Sequence, residues 1–290
     1  MAEGIYFYSI VVPVFNGSKT ILELTGWICD YFLFKGKPFE LIFVDDGSSD
    51  NSWEIIKKIS NGKNNVIGVR FKKNYGQLAA TTCGIHYSKG DFVITMDDDL
   101  QFHPRELEKL ITSLERNPEY YMVFGFPLLK QQNFFRKITS FLSMFLFRFV
   151  FVPTHWKVNV FSSFRILRRE FINNNPGLNL YYLWEIPAKN IHSIPVNHLK
   201  RKSGKSNYTV KKMLNALVPM FLIFGQRLFS FLFLLSVLFT GIDFFSKKNF
   251  FSKTILVEIV CIIITGILYL FFKRKLFSKK TIFYQIDESI

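Results

Sequence analysis

The chain has 290 residues, of which 49% are hydrophobic and 20% charged, so it can bury a sizeable core and is not a disordered polypeptide. Its cysteines, Cys29, Cys83 and Cys261, are far apart, which excludes a disulfide scaffold and the usual cysteine-rich zinc sites. The net charge of +15 is uneven, because residues 1–125 sum to −3 and residues 126–290 to +18. The positive charge alternates with long apolar runs, which favours an anionic membrane surface over a nucleic acid as the partner.

The first 126 residues alternate between apolar, β-branched runs and segments with helical spacing. This alternation predicts an α/β domain with a Rossmann-like, mostly parallel, doubly wound sheet. In such sheets ligands bind beyond the carboxyl ends of the strands, where we expect the acidic clusters 45–46 and 97–99. The predicted strands are 5–14, 40–44, 66–71, 91–96 and 121–126, with shorter ones within 158–167 and at 191–198, and the predicted helices are 17–34, 51–59, 76–87 and 104–115.

After residue 127 the sequence becomes rich in Phe and in basic residues. The segment 134–152 suits an amphipathic helix lying in a membrane interface, although a core helix of the soluble domain stays open. A second interfacial helix is expected over 209–226. The apolar segments 228–246 and 254–272 predict a two-helix hairpin, because a helix of this length spans about 28 Å, close to the hydrocarbon thickness; a re-entrant hairpin is the alternative.

Basic clusters flank this hairpin at 200–212 and 273–280. The positive-inside rule predicts that both flanks, and hence the N-terminal domain and both termini, face the cytoplasm. The first residues lack the positive region and cleavage site of a signal peptide, which agrees with that orientation. We therefore expect a multi-pass protein of the cytoplasmic (inner) membrane, with a catalytic domain over 1–210, a juxtamembrane helix over 211–227, a transmembrane hairpin over 228–272 and a cytoplasmic tail over 273–290.

The strongest local signal is the run Asp97-Asp98-Asp99, followed by Gln101, at the end of a predicted strand. Carboxylates this close repel one another unless a cation neutralises them, and Mg²⁺ or Mn²⁺ prefers oxygen ligands. Side chains alternate along an extended segment, so Asp97 and Asp99 can converge on one ion while Asp98 points away. An acidic flank for the following helix is the alternative reading for Asp99, but it explains Asp97 poorly.

Three weaker signals become specific in combination with this run. They are Pro13 to Asn16 after the first predicted strand, Asp45-Asp46-Gly47-Ser48 after the second, and Asn74-Tyr75-Gly76-Gln77 after the third. In this order and spacing, the four runs resemble family 2 glycosyltransferases of the GT-A fold.

The resemblance continues beyond the first half of the chain. Ser163-Phe164-Arg165, and later the motif His198-x-x-Arg201-x-x-Gly204-x-Ser206-x-Tyr208 before an apolar hairpin, look like the polyprenyl-phosphate branch of that family. This branch includes undecaprenyl-phosphate sugar transferases and dolichyl-phosphate mannose synthase.

The resemblance implies inverting, metal-dependent transfer of one sugar from a nucleotide sugar to a polyprenyl phosphate such as undecaprenyl phosphate. The product would be a lipid-linked sugar donor for cell-envelope glycan or glycolipid modification, and a UDP-sugar is favoured over a GDP-sugar. The implied catalytic residues are Asp97, Asp99 and Arg201, and the implied ligands of Mg²⁺ or Mn²⁺ are Asp97, Asp99 and Gln101. The implied nucleotide-sugar contacts are Pro13, Phe15, Asn16, Asp45, Asp46 (beside the base), Asn74, Gly76, Gln77 and Asp98. The implied contacts of the acceptor phosphate are Arg165, Arg201, Lys205 and Ser206.

The chain departs from the family at Ser163, where an Asp is common. The loss of this acid is tolerable, because a phosphate nucleophile with a second pKa of about 6 is already largely ionised at neutral pH. A catalytically idle membrane scaffold and a transferase acting on another lipid stay open. A processive polysaccharide synthase usually carries Gln-x-x-Arg-Trp, and here no Trp follows an Arg. The resemblance also allows a homo-oligomer assembled through the membrane region.

Overall fold

The chain divides into two compact units. The first comprises Met1–Asn133, Lys157–Gly204 and Ile282–Ile290, and the second comprises Phe134–Trp156 and Lys205–Thr281. The computed structural model describes residues 6–128, 162–174, 187–199 and 285–290, together with the single residues Ile263 and Ile267.

The predicted interfacial helices, the juxtamembrane helix and the hairpin lie outside the described residues, apart from Ile263 and Ile267. These two residues are helical and exposed. Within the described ranges, no helix is both long enough and apolar enough to cross a bilayer. The strands and helices that follow all belong to the first unit.

A single mixed sheet organises the described part of the first unit. Its strand order is β7-β5-β6-β4-β1-β2-β3-β8. The strands are β1 (Tyr8–Val14), β2 (Phe39–Asp45), β3 (Val66–Phe71), β4 (Phe92–Thr95), β5 (Met122–Pro127), β6 (Arg165–Arg168), β7 (Ile191–Val196) and β8 (Ile286–Ser289).

The centre of the sheet is parallel, in the order β4-β1-β2-β3. Every residue of β1 and β2 is buried, as expected for strands covered on both faces. Of the two carboxylates in β2, Glu40 accepts the Ser9 hydroxyl at 2.5 Å and the Lys89 amide at 2.6 Å. Val14 pairs with Asp45, so the carboxyl ends of β1 and β2 lie side by side.

The sheet is less parallel than the sequence predicted. Strand β6 runs antiparallel between β4 and β5, and β8 runs antiparallel to β3, whereas β7 is parallel to β5. Strand β8 comes from the segment predicted as a tail. The five strands predicted in the first 126 residues all form, within three residues of their expected ends, because each is dominated by apolar residues.

Helices cover both faces of this sheet. They are α1 (Ile21–Phe34), α2 (Ser52–Gly62), α3 (Gln77–Tyr87), α4 (Leu107–Arg116) and α5 (Arg169–Asn174), with 3-10 turns at Pro104–Glu106 and Ala188–Asn190.

Two apolar clusters separate the layers. One packs α1, α2 and α4 against one face of the sheet, and the other packs α3 and α5 against the opposite face. Helix α4 shows why: Leu107, Leu110, Ile111 and Leu114 recur at helical spacing and are all buried. Each such side chain contributes roughly 1.5–3 kcal/mol when buried. This three-layer packing fixes the strand ends that carry the predicted site.

Candidate functional site

The predicted site residues within the described ranges gather at the carboxyl ends of four neighbouring strands, β1 to β4. This is the edge of a parallel sheet where ligands are expected. Arg201, Lys205 and Ser206 lie outside the described residues. The described predicted residues are Pro13, Phe15, Asn16, Asp45, Asp46, Asn74, Gly76, Gln77, Asp97, Asp98, Asp99, Gln101 and Arg165.

After β1, the chain turns sharply at Asn16, whose φ is 56°. Asparagine tolerates this left-handed conformation better than most residues. Its carboxamide oxygen accepts the Ser49 amide at 2.9 Å, and its own amide donates to the Ser48 hydroxyl at 2.9 Å. Asn16 therefore joins the β1 end to the turn after β2. Phe15 beside it is half-buried, whereas Pro13 is buried within β1.

After β2, Asp46 is engaged by the chain itself. It is 2% exposed, and its two oxygens accept the backbone amides of Tyr75 at 2.7 Å and Gly76 at 2.8 Å. These bonds hold the β3–α3 loop (residues 72–76) against the end of β2. The resemblance placed Asp46 beside the nucleobase, and in the structure its carboxylate organises the loop that would surround the base.

Asp45 is fully buried, so a direct contact with a nucleotide sugar does not fit its position. One of its carboxylate oxygens accepts the Ser48 amide at 3.2 Å, and the other faces Arg70 Nε at 3.4 Å. Burial raises the pKa of Asp45, although Ser48 and Arg70 oppose that shift. Asp45 therefore supports the turn from beneath.

Two glycines allow left-handed backbone conformations in these loops. Gly47 has a φ of 68°, and a Cβ atom there would lie 2.6 Å from the backbone carbon of Lys73. Gly76, with a φ of 98°, adopts a conformation that side chains disfavour, directly before α3. Gly47 thus permits the sharp turn after β2. Asn74, at the tip of the β3–α3 loop, is exposed.

After β4 comes the acidic loop (residues 97–101). Asp97 is half-buried, and its oxygens accept Gln77 Nε2 at 2.5 Å and the Ser163 hydroxyl at 2.7 Å. Asp99 accepts the Gln101 amide at 3.1 Å. The two carboxylates are thus oriented by neighbours and keep part of their surface open.

The turn of the acidic loop is unusual at Leu100, a 2% exposed residue with a φ of 60°. Such a conformation costs a leucine about 1–2 kcal/mol and is common where function needs a special backbone. Asp98 lies against Gly17, where an added Cβ would sit 2.1 Å from the Asp98 carboxylate. Asp98 therefore faces the β1 end, so the sequence reading that it points away from its two neighbours stays compatible with the structure.

Arg165 lies beneath the acidic loop. It is 6% exposed, its Nε donates to the Thr95 hydroxyl at 3.1 Å, and Thr95 in turn donates to the Ser163 carbonyl at 2.5 Å. Burial lowers the pKa of Arg165 to about 10, and the charge of Asp97 opposes that shift. The prediction that Arg165 holds the acceptor phosphate does not fit this burial, because β6 is an internal strand. The buried cation instead supports Asp97.

The segment after β7 packs against the acidic loop. The Leu199 amide donates to the Gln101 carbonyl at 2.8 Å, and the His198 ring lies edge-on to Phe102 at 5.0 Å. Asn197 donates to both carboxylate oxygens of Glu106, at 3.1 and 2.9 Å. The role of Glu106 was not predicted, because nothing in its local sequence distinguishes it from a surface acid.

In the described part of the chain, no three His, Cys, Asp or Glu side chains are grouped so that they could enclose a metal ion. Two partly open carboxylates suit another kind of site, in which Mg²⁺ or Mn²⁺ takes one or two carboxylates and completes its shell with substrate phosphates and water. The acidic loop has the chemistry for that arrangement. Carboxylates alone would repel a diphosphate, so the pair points to a bridging cation.

A family model described as Glycosyl transferase family 2 matches residues 9–175, more than half of the chain. The match spans β1 to α5 and includes the β1, β2 and β3 loops, the acidic loop, Ser163 and Arg165.

Solved structures with the same fold include glucosyl-3-phosphoglycerate synthase from Mycobacterium tuberculosis. Its complex with phosphoglyceric acid matches with a TM-score of 0.54 at 19% identity, covering 78% of this chain and 79% of that chain. Its complex with Mn²⁺ and UDP-glucose matches with a TM-score of 0.53 at 18% identity, covering 78% of both chains. At these identities the likeness concerns the fold, and it supports the predicted GT-A-like α/β domain.

Proposed function

Because the chain belongs to glycosyl transferase family 2, and is therefore a glycosyltransferase, we propose that it transfers one sugar from a UDP-sugar to a polyprenyl phosphate with inversion. The observation that carries this proposal is the pair Asp97 and Asp99 at the end of β4, where Asp97 is oriented by Gln77 and Ser163 and Asp99 by the Gln101 amide. The product would be a lipid-linked sugar for cell-envelope modification.

The donor side is supported by the loops at the ends of β1, β2 and β3. Asn16 and Phe15 border the turn after β2, and Asp46 fixes the β3–α3 loop opposite. These contacts fix the loops before a ligand binds, so the loops lose less conformational entropy when the nucleotide sugar binds. The Mycobacterium tuberculosis enzyme of the same fold was solved with UDP-glucose, which favours a UDP-sugar here.

Asp97, Asp99 and Gln101 fit a divalent cation bound together with the donor diphosphate. When bound, Mg²⁺ or Mn²⁺ would neutralise the charge that develops on the leaving diphosphate. The Mycobacterium tuberculosis complexes with UDP-glucose contain Mn²⁺. In this chain Gln77 and Ser163 hold Asp97, so the carboxylate need not reorient when the ion binds.

The proposed acceptor is the phosphate of a lipid. The support is the +18 charge of residues 126–290, interleaved with apolar runs, and the motif from His198 to Tyr208, whose first residue packs beside the acidic loop. Arg201, Lys205 and Ser206 of that motif would bind the phosphate in place of the buried Arg165. The reaction would then occur at the cytoplasmic surface of a membrane.

The reaction needs little proton transfer. An oxygen of the acceptor phosphate forms the new bond to the anomeric carbon as the bond to the nucleotide diphosphate breaks, and the phosphate is already ionised at neutral pH. A base at position 163 is therefore dispensable. In this chain Ser163 donates to Asp97 instead, so the position contributes to the donor side of the site.

A product assay tests the proposal. Membranes containing the protein are incubated with Mn²⁺, undecaprenyl phosphate and a panel of UDP- and GDP-sugars, and the lipid fraction is analysed by mass spectrometry. We expect a lipid heavier by one sugar with one UDP-sugar, absent with Asp99→Ala. A parallel reaction contains phosphoglyceric acid, the ligand of the Mycobacterium tuberculosis structure. Product on that acceptor alone would contradict the lipid acceptor, and donor hydrolysis without any lipid product would do the same.

A further inference from the structure

Strand β8 closes one edge of the sheet from a distant part of the sequence. It pairs antiparallel with β3. Ile290, the residue after β8, exchanges two backbone hydrogen bonds of 2.8 and 2.9 Å with Gly68 of β3. The Lys72 amide, the first of the β3–α3 loop, donates to the Gln285 carbonyl at 3.0 Å. The pairing therefore continues past β3 into the loop that Asp46 holds.

One side chain of β8 reaches past the sheet to helix α2. Glu288 accepts the Trp53 indole N–H at 2.9 Å and lies 3.1 Å from Lys57 Nζ. The Trp53 ring is 2% exposed and carries the guanidinium of Arg70 at 5.9 Å from its centre. A buried indole with its N–H bonded to a carboxylate fixes both partners.

The contacts of β8 are connected to both acidic residues at the end of β2, Asp45 and Asp46. Arg70, which pairs with Glu288 in the ladder, approaches Asp45 at 3.4 Å through Nε. Lys72, bonded to Gln285, begins the loop whose later amides bind Asp46. Helix α2 starts directly after the turn that Asn16 and Asp45 hold. Arg70, Lys72 and helix α2 each connect β8 to a loop on the donor side of the site.

We propose that β8 is a positioning element for the donor nucleotide, and that Glu288 is its main side-chain contact. The strand holds β3, α2 and the start of the β3–α3 loop in one arrangement, so that the loop is formed before the nucleotide binds. The ligand in this inference rests on the proposed function, whereas the effect on the loop does not. A strand that only shielded the sheet edge would have no need of the contacts to Trp53 and Lys57.

The test compares Glu288→Ala with Asp287→Ala, which removes the same charge from an exposed position of the same strand. Trp53→Phe removes the N–H donor and keeps a ring in place. Hydrogen exchange of residues 72–77 in the ligand-free protein is measured against exchange in β1. We expect exchange in the loop to be about fivefold faster in Glu288→Ala and Trp53→Phe, with β1 and Asp287→Ala unchanged.

The dissociation constant of UDP with Mn²⁺, measured by calorimetry, should rise by a similar factor in the two variants, while kcat at saturating donor stays unchanged. Exchange at the wild-type rate in Glu288→Ala would overturn the inference, as would an equal increase in β1. If the unaltered protein fails to bind UDP, the proposed donor is wrong, and the exchange of the loop still decides the role of β8.

Discussion

Two acidic clusters follow the strands on either side of β1 and are used in opposite ways. After β2, Asp45 and Asp46 are at most 2% exposed, and Asp46 is bonded to two backbone amides of the chain. After β4, Asp97 and Asp99 are only half-buried, and Asp97 is held by two side chains. The first cluster builds the loops and the second is available for chemistry.

The difference shows that the position of a carboxylate at a strand end does not by itself determine its role. A carboxylate bonded to backbone amides replaces hydrogen bonds that the loop would otherwise lose, and moving it would break the loop. A carboxylate held at its edges by an amide and a hydroxyl keeps lone pairs for a cation. Substitutions can therefore separate the two roles.

Asp97→Ala should give the largest effect. Removal of a charged group that acts on the leaving diphosphate is expected to lower kcat about 100- to 1,000-fold. The melting temperature should fall as well, because the charge of Asp97 offsets the burial of the Arg165 cation. Steady-state kinetics and calorimetry check this, with Asp30→Ala, an exposed acid of α1, as the control. Activity within tenfold of the unaltered protein would place Asp97 among the structural acids.

Gly47→Ala should destabilise the turn after β2 by backbone strain. The added Cβ would sit in a left-handed conformation and 2.6 Å from the Lys73 backbone, so we expect a loss of about 3 kcal/mol in the free energy of unfolding. Gly26→Ala, on an open face of α1, should instead stabilise by about 0.5–1 kcal/mol. Urea unfolding of both variants measures the difference. Equal effects of the two would mean that the close approach of the loops contributes nothing.

Ser163→Ala tests how the acidic loop is oriented. Loss of the hydroxyl that orients Asp97 should weaken Mn²⁺ affinity in the presence of UDP about tenfold, because partners of metal ligands commonly matter by that amount. Ser162→Ala is the neighbouring control, since the Ser162 hydroxyl accepts the nearby Phe164 amide at 3.2 Å. The Mn²⁺ activation constant reports the change. The same constant in both variants would remove Ser163 from the site.

Asp50→Asn should give the smallest effect and a pH signature. Burial tends to raise the pKa of Asp50, but hydrogen bonds from Ser52 and Ser18 outweigh it and hold the pKa below its usual range. The ionised carboxylate therefore stabilises the fold above the unfolded pKa of about 3.9, and that contribution disappears as the pH falls through the lower folded value.

We expect Asp50→Asn to cost about 1 kcal/mol at pH 7 and to approach the unaltered protein in strongly acidic solution. Urea unfolding from pH 7 to pH 3 measures this trend. A cost that stays constant over this range would mean that the negative charge at position 50 is not what stabilises the turn.

The sequence predicts the parallel centre of the fold well, because each strand there is mostly apolar and is followed by a turn signal. It does not predict that β6 inserts between β4 and β5, or that residues 286–289 join β3 from the far end of the chain. Both pairings depend on partners distant in sequence. A short strand such as Arg165–Arg168 also has too few residues for its sequence pattern to indicate which strands it pairs with.

The site divides in the same way. The acidic loop is predictable because three consecutive carboxylates have few structural uses. The buried position of Arg165 is not, since only the sheet order makes β6 internal. The role of Asp46 depends on backbone amides 29 and 30 residues away, which no local pattern reveals.

The most direct test of the divided roles is a paired measurement on Asp46→Asn and Asp99→Asn, with melting temperature and Mn²⁺-dependent UDP binding determined by calorimetry in the same buffer. We predict that Asp46→Asn lowers the melting temperature, because an amide cannot accept from both loop amides, at a cost of about 2 kcal/mol. Asp99→Asn should keep the melting temperature and lose the Mn²⁺-dependent part of UDP binding. If Asp99→Asn instead lowers the melting temperature as much as Asp46→Asn and still binds UDP in a Mn²⁺-dependent way, the account is contradicted.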